Sequence, residues 1–325
     1  IYENKLLSQG CALGNPTNCN YYYSAVVLPG YPFLITLLFK LFGVKDIFAM
    51  IISGILGSIN IILVFFIYLL LFKNRKGALW AALVYALIPL DVYISSTGAA
   101  RTTAIFFMNL AIIFYLIFLH KKKIGLLILS VITWSIAIYI RLDFYIFILP
   151  IFLIILLKRY NLTSLKHALI GASAFFLHQF FAIDWLIHNN FGLTGGTQQT
   201  FSPRYLPNIK GIASAFLFPE LHDFLTFNPA VTVLILMSFF LFKFKKFRLK
   251  IFLVLLWLLV YALCISLFYS SGEIFRYLQP LTVPYSLLAG FFFSLLSEKI
   301  TLKNKFPTIL LIISALPFLF STTAK

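Results

Sequence analysis

The stretch RTTAIFFMNLAIIFYLIFLHKKK, residues 101–123, decides the fold class. A predominantly apolar run from Thr102 to Leu119 lies between one arginine and a His-Lys-Lys-Lys cluster. At a helical rise of about 1.5 Å per residue, such a run nearly matches a hydrocarbon core of roughly 30 Å. Further runs of the same kind occur at about 46–72, 78–94, 124–140, 143–157, 167–187, 228–242, 251–269, 277–296 and 306–320. They lack the short alternation of barrel strands, and backbone polar groups in lipid must be satisfied within the segment. The expected fold is therefore an all-α polytopic membrane protein with about ten transmembrane helices in one domain spanning residues 1–325. A composition of 62% hydrophobic and 11% charged residues, with a mean hydropathy of +0.99, excludes a soluble domain of ordinary type.

The lysines that close the quoted stretch belong to a pattern. Basic clusters occupy 73–76, 120–123, 158–166, 243–250 and 298–305, at every second gap between runs, and hold 17 of the 26 Lys and Arg. That alternation is the positive-inside signature, so these gaps are expected to face the cytoplasm. The net charge of +17 then reflects orientation and anionic membrane lipids rather than nucleic acid. Of the nine acidic residues only Glu298 falls in a basic gap; Glu3, Asp46, Asp91, Asp143, Asp184, Glu220, Asp223 and Glu273 fall on the other side. Any chemistry is expected at that outer face.

Two outer segments are long. Residues 1–44 form the first extracytoplasmic loop, which ends in PGYPFLITLLFKLFG at 29–43. Its proline-bracketed turn leads into a helix over 33–43, too short to span, with Lys40 reaching back to the headgroups and Asp46 capping the next span. Residues 188–227 form the second, rich in Gly, Thr and Pro and ending in another short interfacial helix. Cys11 and Cys19 share the first loop and either form a bond or remain two thiols; Cys264 lies in a span. The chain opens on Ile1 within a polar outer loop, so one further span is expected before it. No internal repeat is visible.

The segments PGYPFLITLLFKLFGVKD, YALIPLDVYISSTGAARTTAIFFMNLAIIFYL, IRLDFYIFILPIFLI and FRYLQPLTVPYSLLAGF resemble, in order and spacing, the GT-C glycosyltransferases. The closest likeness is to the protein mannosyltransferase-like branch, which uses polyprenyl- or dolichyl-phosphate sugars. The resemblance covers nearly the whole chain. The Trp-Trp-Asp-Tyr-Gly signature of oligosaccharyltransferases is absent from the sequence. The likeness implies transfer of mannose or a similar hexose, with inversion, to a glycan, lipid or protein acceptor on the extracytoplasmic side. The setting it implies is the plasma membrane of a prokaryote or the endoplasmic reticulum. It also gives the short helix after the Pro-Gly-Tyr-Pro turn a role, as the floor of a site entered sideways from the bilayer.

Such a transfer requires a base for the acceptor proton, cations for the departing phosphate and exclusion of water. The family's catalytic carboxylate aligns just upstream of Ile1, which leaves Glu3 as the acid of this loop. Arg101 and Arg276 are the expected donor-phosphate ligands, Arg276 because an Arg-Tyr at the outer start of a span matches the family. Thr102 and Thr103 stand where the family places an acid after the arginine. Arg141 either pairs with Asp143 in the short turn or faces the site. Tyr31, Arg204, Lys210 and Tyr277 are the candidate substrate contacts. Glu220, His222 and Asp223 are either solvated or a carboxylate–imidazole group suited to a divalent metal such as Mg or Mn. Two other readings compete: a polysaccharide polymerase or ligase acting on lipid-linked glycans, and a lipid or glycan transporter. Transporters usually place ionisable residues at mid-membrane depth, and here the span centres are nearly free of them.

Overall fold

The computed structural model describes residues 30–45, 47–141, 248–268 and 277–299, with the single positions 144, 173, 180, 232 and 235. Every regular element among the described residues is helical. The order is α1 (Gly30–Phe42), α2 (Ile47–Phe72), α3 (Arg75–Ala86), α4 (Pro89–Ser96), α5 (Ala100–Lys121) and α6 (Ile124–Ile140), then α7 (Arg248–Phe268), a 3₁₀ turn (Gln279–Leu281) and α8 (Thr282–Lys299). Two of these, α2 and α5, are long and apolar enough to cross a membrane, and α3 with α4 makes a third crossing if counted as one bent span. Helix α6 and the Lys250–Ile265 part of α7 are shorter apolar helices. The expected runs at 143–157, 167–187, 228–242 and 306–320 lie outside the described residues apart from single positions, as does Asp46.

The run read as one span over 78–94 is broken. Leu87 and Ile88 separate α3 from α4, and the two axes meet at 57°. Pro89 is the cause: it has no N–H to give the preceding turn, and it pushes Ile88 out of helical geometry to φ −73°, ψ 117°. Averaging hydropathy along the run conceals such a break, because proline costs little in apolarity.

Helix α8 lies at the centre. Its residues from Thr282 to Ser294 are all buried, so it has no lipid-facing stripe. Phe291 packs against Phe72 of α2, and Phe293 against Trp80 of α3, with ring centroids 5.3 and 5.4 Å apart. Helix α2 shows the other pattern: Ile51, Ile55, Ile62 and Phe66 are exposed along one face, while Leu63, Val64, Ile67 and Tyr68 are buried. The two basic gaps that are fully described, at 73–76 and 120–123, are tight turns. Lys73 and Lys122 take left-handed backbone conformations, and the Asn74 side chain accepts from Gly77 N–H to cap α3.

The ends of the bundle differ. Lys250 at the start of α7 donates to the carbonyl of Leu71, beside the 73–76 cluster. Gly57 meets Thr102 and Asn60 meets Asn109, so α2 and α5 run in parallel and their basic C-terminal turns lie at the same end. The starts of α1 and α5, the end of α6 and the segment before α8 meet at the opposite end, where the site lies.

Candidate functional site

Helix α5 must begin with its arginine in place, and the turn before it sets that position. Gly98 has φ +68°, and a Cβ there would meet the Ala49 carbonyl carbon at 3.0 Å, so only glycine suits the turn. Arg101 follows as the second residue of α5, with 5% of its surface exposed. A cation at a helix N-terminus opposes the helix dipole, and burial adds a desolvation cost. Part of that is offset by Tyr277: the Arg101 guanidinium carbon lies 4.4 Å from the centre of its ring.

Arg141 reaches the same ring. It caps α6, its N–H donating to Ala137 O at 2.9 Å, and its guanidinium carbon lies 5.4 Å from the Tyr277 centroid. Two guanidinium groups from different helices thus share one tyrosine, next to a helix N-terminus. Two cations directed at one ring suit a ligand of opposite charge. Guanidinium forks suit phosphate oxygens, which accept paired N–H donors in one plane.

The first turn of α1 closes this corner. Tyr31 donates its hydroxyl to Gly98 O at 2.5 Å, and Gly30 lies so near the end of α6 that a Cβ would sit 2.7 Å from Tyr139 O. One side chain and one glycine therefore dock α1 on the two segments that carry Arg101 and Arg141. Burial pushes the Tyr31 phenol up to about 12. Since its folded value is the higher one, its hydroxyl bond is fully present below about pH 10 and is lost as pH rises through about 12. The absorbance difference at 295 nm between wild type and Tyr31→Phe is expected to step near pH 12. A step near pH 10 would show Tyr31 exposed and α1 undocked.

Behind the arginines lies a polar chain. Gln279 Nε2 donates to Asp91 Oδ1 at 2.9 Å and to Thr102 Oγ1 at 3.2 Å. Tyr85 donates to the same Asp91 oxygen at 3.1 Å. Asn60 Nδ2 donates to Thr102 O at 3.4 Å, and Asn109 Nδ2 to Asn60 Oδ1 at 3.0 Å. All of these residues are buried.

Of the candidates from sequence, the structure brings Arg101, Arg141, Tyr277 and Tyr31 together. Glu3, Arg204, Lys210, Glu220, His222, Asp223 and Arg276 lie outside the described residues, as do Asp143, Glu273, Cys11 and Cys19. Among the described residues no three His, Cys, Asp or Glu side chains gather as metal ligands. Gln279, Asn60 and Asn109 were not singled out from sequence. Asn60 and Asn109 carried a usable signal, being amides within otherwise apolar runs, where a polar group needs a partner.

Solved structures that share the fold include two of ArnT from Cupriavidus metallidurans. The form bound to undecaprenyl phosphate matches with a TM-score of 0.62 at 15% identity, over 83% of this chain and 50% of that one. The apo form matches with a TM-score of 0.55 at 15% identity, over 83% and 49%. The chain thus spans about half the length of these relatives. No curated protein matches it. Residues 26–188, half of the chain, match the family described as dolichyl-phosphate-mannose-protein mannosyltransferase. The segment includes α1, the broken α3–α4 pair, Arg101 and Arg141. The chain belongs to that family, within the GT-C membrane glycosyltransferases.

Proposed function

We propose that the protein transfers a hexose, mannose or a close relative, from a polyprenyl or dolichyl phosphate carrier to an acceptor hydroxyl or amide. The observation that carries this reading is the convergence of Arg101 and Arg141 on Tyr277 at the end of the bundle away from the basic turns. Family membership and the fold shared with a protein solved with undecaprenyl phosphate support it. By the positive-inside rule the site faces the extracytoplasmic side.

In this reading the carrier lies along the bundle with its phosphate at the arginines. The bond between the anomeric carbon and the phosphate oxygen breaks, and its electron pair stays on the phosphate. Arg101 and Arg141 hold the charge that grows there, joined by Arg276. The acceptor attacks the anomeric carbon from the opposite face, which inverts it. Its proton passes to a carboxylate of the first outer loop, for which Glu3 is the candidate within this chain. Docked α1 keeps water from the sugar. Arg204, Lys210 and the Glu220–His222–Asp223 group remain candidates for acceptor and metal contact.

The test uses the full chain in lipid nanodiscs and a radiolabelled polyprenyl phosphate hexose. Undecaprenyl phosphate is expected to displace the label at a concentration roughly tenfold or more below that of undecaprenol, because a charge-assisted phosphate contact contributes at least that much. Equal displacement by the alcohol would overturn the phosphate site. Binding without transfer to any hydroxyl or amide acceptor in a membrane extract would favour the transporter reading.

A further inference from the structure

We infer that Asp91 and Gln279 are positioning residues that fix Arg101 against Tyr277; the inference rests on the site just proposed. The geometry places Gln279 two residues after Tyr277, and Thr102 directly after Arg101. The Gln279 amide nitrogen bridges Asp91 Oδ1 and Thr102 Oγ1, tying the segment that carries the ring to the helix that carries the cation. Neither Asp91 nor Gln279 is placed to meet the carrier: Gln279 is 0% exposed, and the Asp91 oxygen in this chain already accepts from Gln279 and Tyr85.

Each member of the chain constrains the next. Gln279 has one amide group with two protons, and the two bonds use both. The Asp91 oxygen is held in turn by Tyr85 from α3, across the break that Pro89 makes. Thr102 is gripped twice, at its hydroxyl by Gln279 and at its carbonyl by Asn60 of α2. Asn109 orients Asn60. Thr102 therefore has little freedom to rotate the first turn of α5, and the Arg101 side chain departs from that turn. Buried polar chains of this sort fix one arrangement, since breaking any link leaves a polar group without a partner in low dielectric. The bend between α3 and α4 acquires a purpose, for a straight helix would carry Asp91 away from Gln279.

What Asp91 supplies under this inference is an acceptor oxygen and not a charge or a proton. Asparagine offers the same oxygen to Gln279 and Tyr85, whereas leucine of similar size offers none. A general base or a metal ligand at this position would require the carboxylate itself. The two roles are thus separable by one substitution.

The test measures the affinity of the full chain in nanodiscs for undecaprenyl phosphate, alongside melting temperature. Gln279→Leu and Asp91→Leu are each expected to weaken binding roughly tenfold, while Asp91→Asn retains most of the affinity that Asp91→Leu loses. Combining Gln279→Leu with Arg101→Gln is expected to bind no worse than Arg101→Gln alone, because one loss acts through the other. Losses that multiply in the double variant would mark Gln279 as merely structural and overturn the inference. Equal loss in Asp91→Asn and Asp91→Leu would overturn it too, by assigning the role to the charge. Wild-type affinity in Gln279→Leu, beside weakened Arg101→Gln, would sink the positioning role and leave the phosphate site standing. Wild-type affinity in Arg101→Gln would remove the site and the inference together.

Discussion

Replacing Gly290 with leucine is expected to lower the melting temperature of the detergent-solubilised protein by roughly 5 °C, or about 3 kcal/mol. Gly290 lies midway along α8, where that helix presses on α3. A Cβ there would lie 2.6 Å from Ala81 Cβ, 2.6 Å from Gly77 O and 2.7 Å from Ala81 N. Two of these three atoms are backbone, so no rotamer change relieves the clash, and the two helices must separate. In lipid the loss is not softened by a hydrophobic gain, because helix association there depends on close van der Waals packing between small residues. Separation would also loosen the packing of Phe293 on Trp80, one turn further along the same contact. Gly54 is the control. Among the described residues nothing lies within 4 Å of its Cβ position, so Gly54→Ala is expected to stabilise α2 by about 0.5–1 kcal/mol through backbone entropy. Equal melting temperatures for Gly290→Leu and wild type would contradict the α3–α8 contact.

The sequence makes some of this plain and conceals the rest for definite reasons. Helix α5 is legible because a 22-residue apolar helix needs no partner to declare itself, and its flanking charges mark the two ends. Helix α1 is legible as a helix too short to span, although it begins at Gly30 and not at residue 33. The start matters, since it makes Tyr31 and Gly30 part of the docked turn. The α3–α4 break was visible as Pro89 but hidden by the hydropathy on either side of it. Arg101 and Arg141 stood out as cations at span ends, yet they lie 40 residues apart, and only tertiary packing reveals that both reach Tyr277. Gln279 was the hardest to foresee. A glutamine near the start of a span reads as interfacial, and its partner Asp91 lies 188 positions earlier.

Arg101→Gln is expected to reduce transfer from a polyprenyl phosphate hexose by about a hundredfold or more, with melting temperature little changed. The loss should fall mainly on kcat. In the bound carrier the phosphate diester bears one negative charge, and as the sugar departs a second develops, so a cation placed there stabilises the transition state beyond the ground state. Arg101→Lys separates charge from geometry: an ammonium keeps the field but cannot both lie over the Tyr277 ring and present two parallel donors to phosphate. It is therefore expected to recover only part of the rate, roughly a tenth of wild type. Tyr277→Phe keeps the ring face and so most of the rate, whereas Tyr277→Leu removes the surface that the two arginines share and is expected to approach Arg101→Gln. If Arg101→Gln raised KM alone and left kcat intact, the arginine would serve only to hold the carrier. The charge formed on bond breaking would then have to be met elsewhere. If lysine restored the full rate, a point charge would suffice, and the stacking of Arg101 and Arg141 on one ring would be a feature of packing with no part in the chemistry.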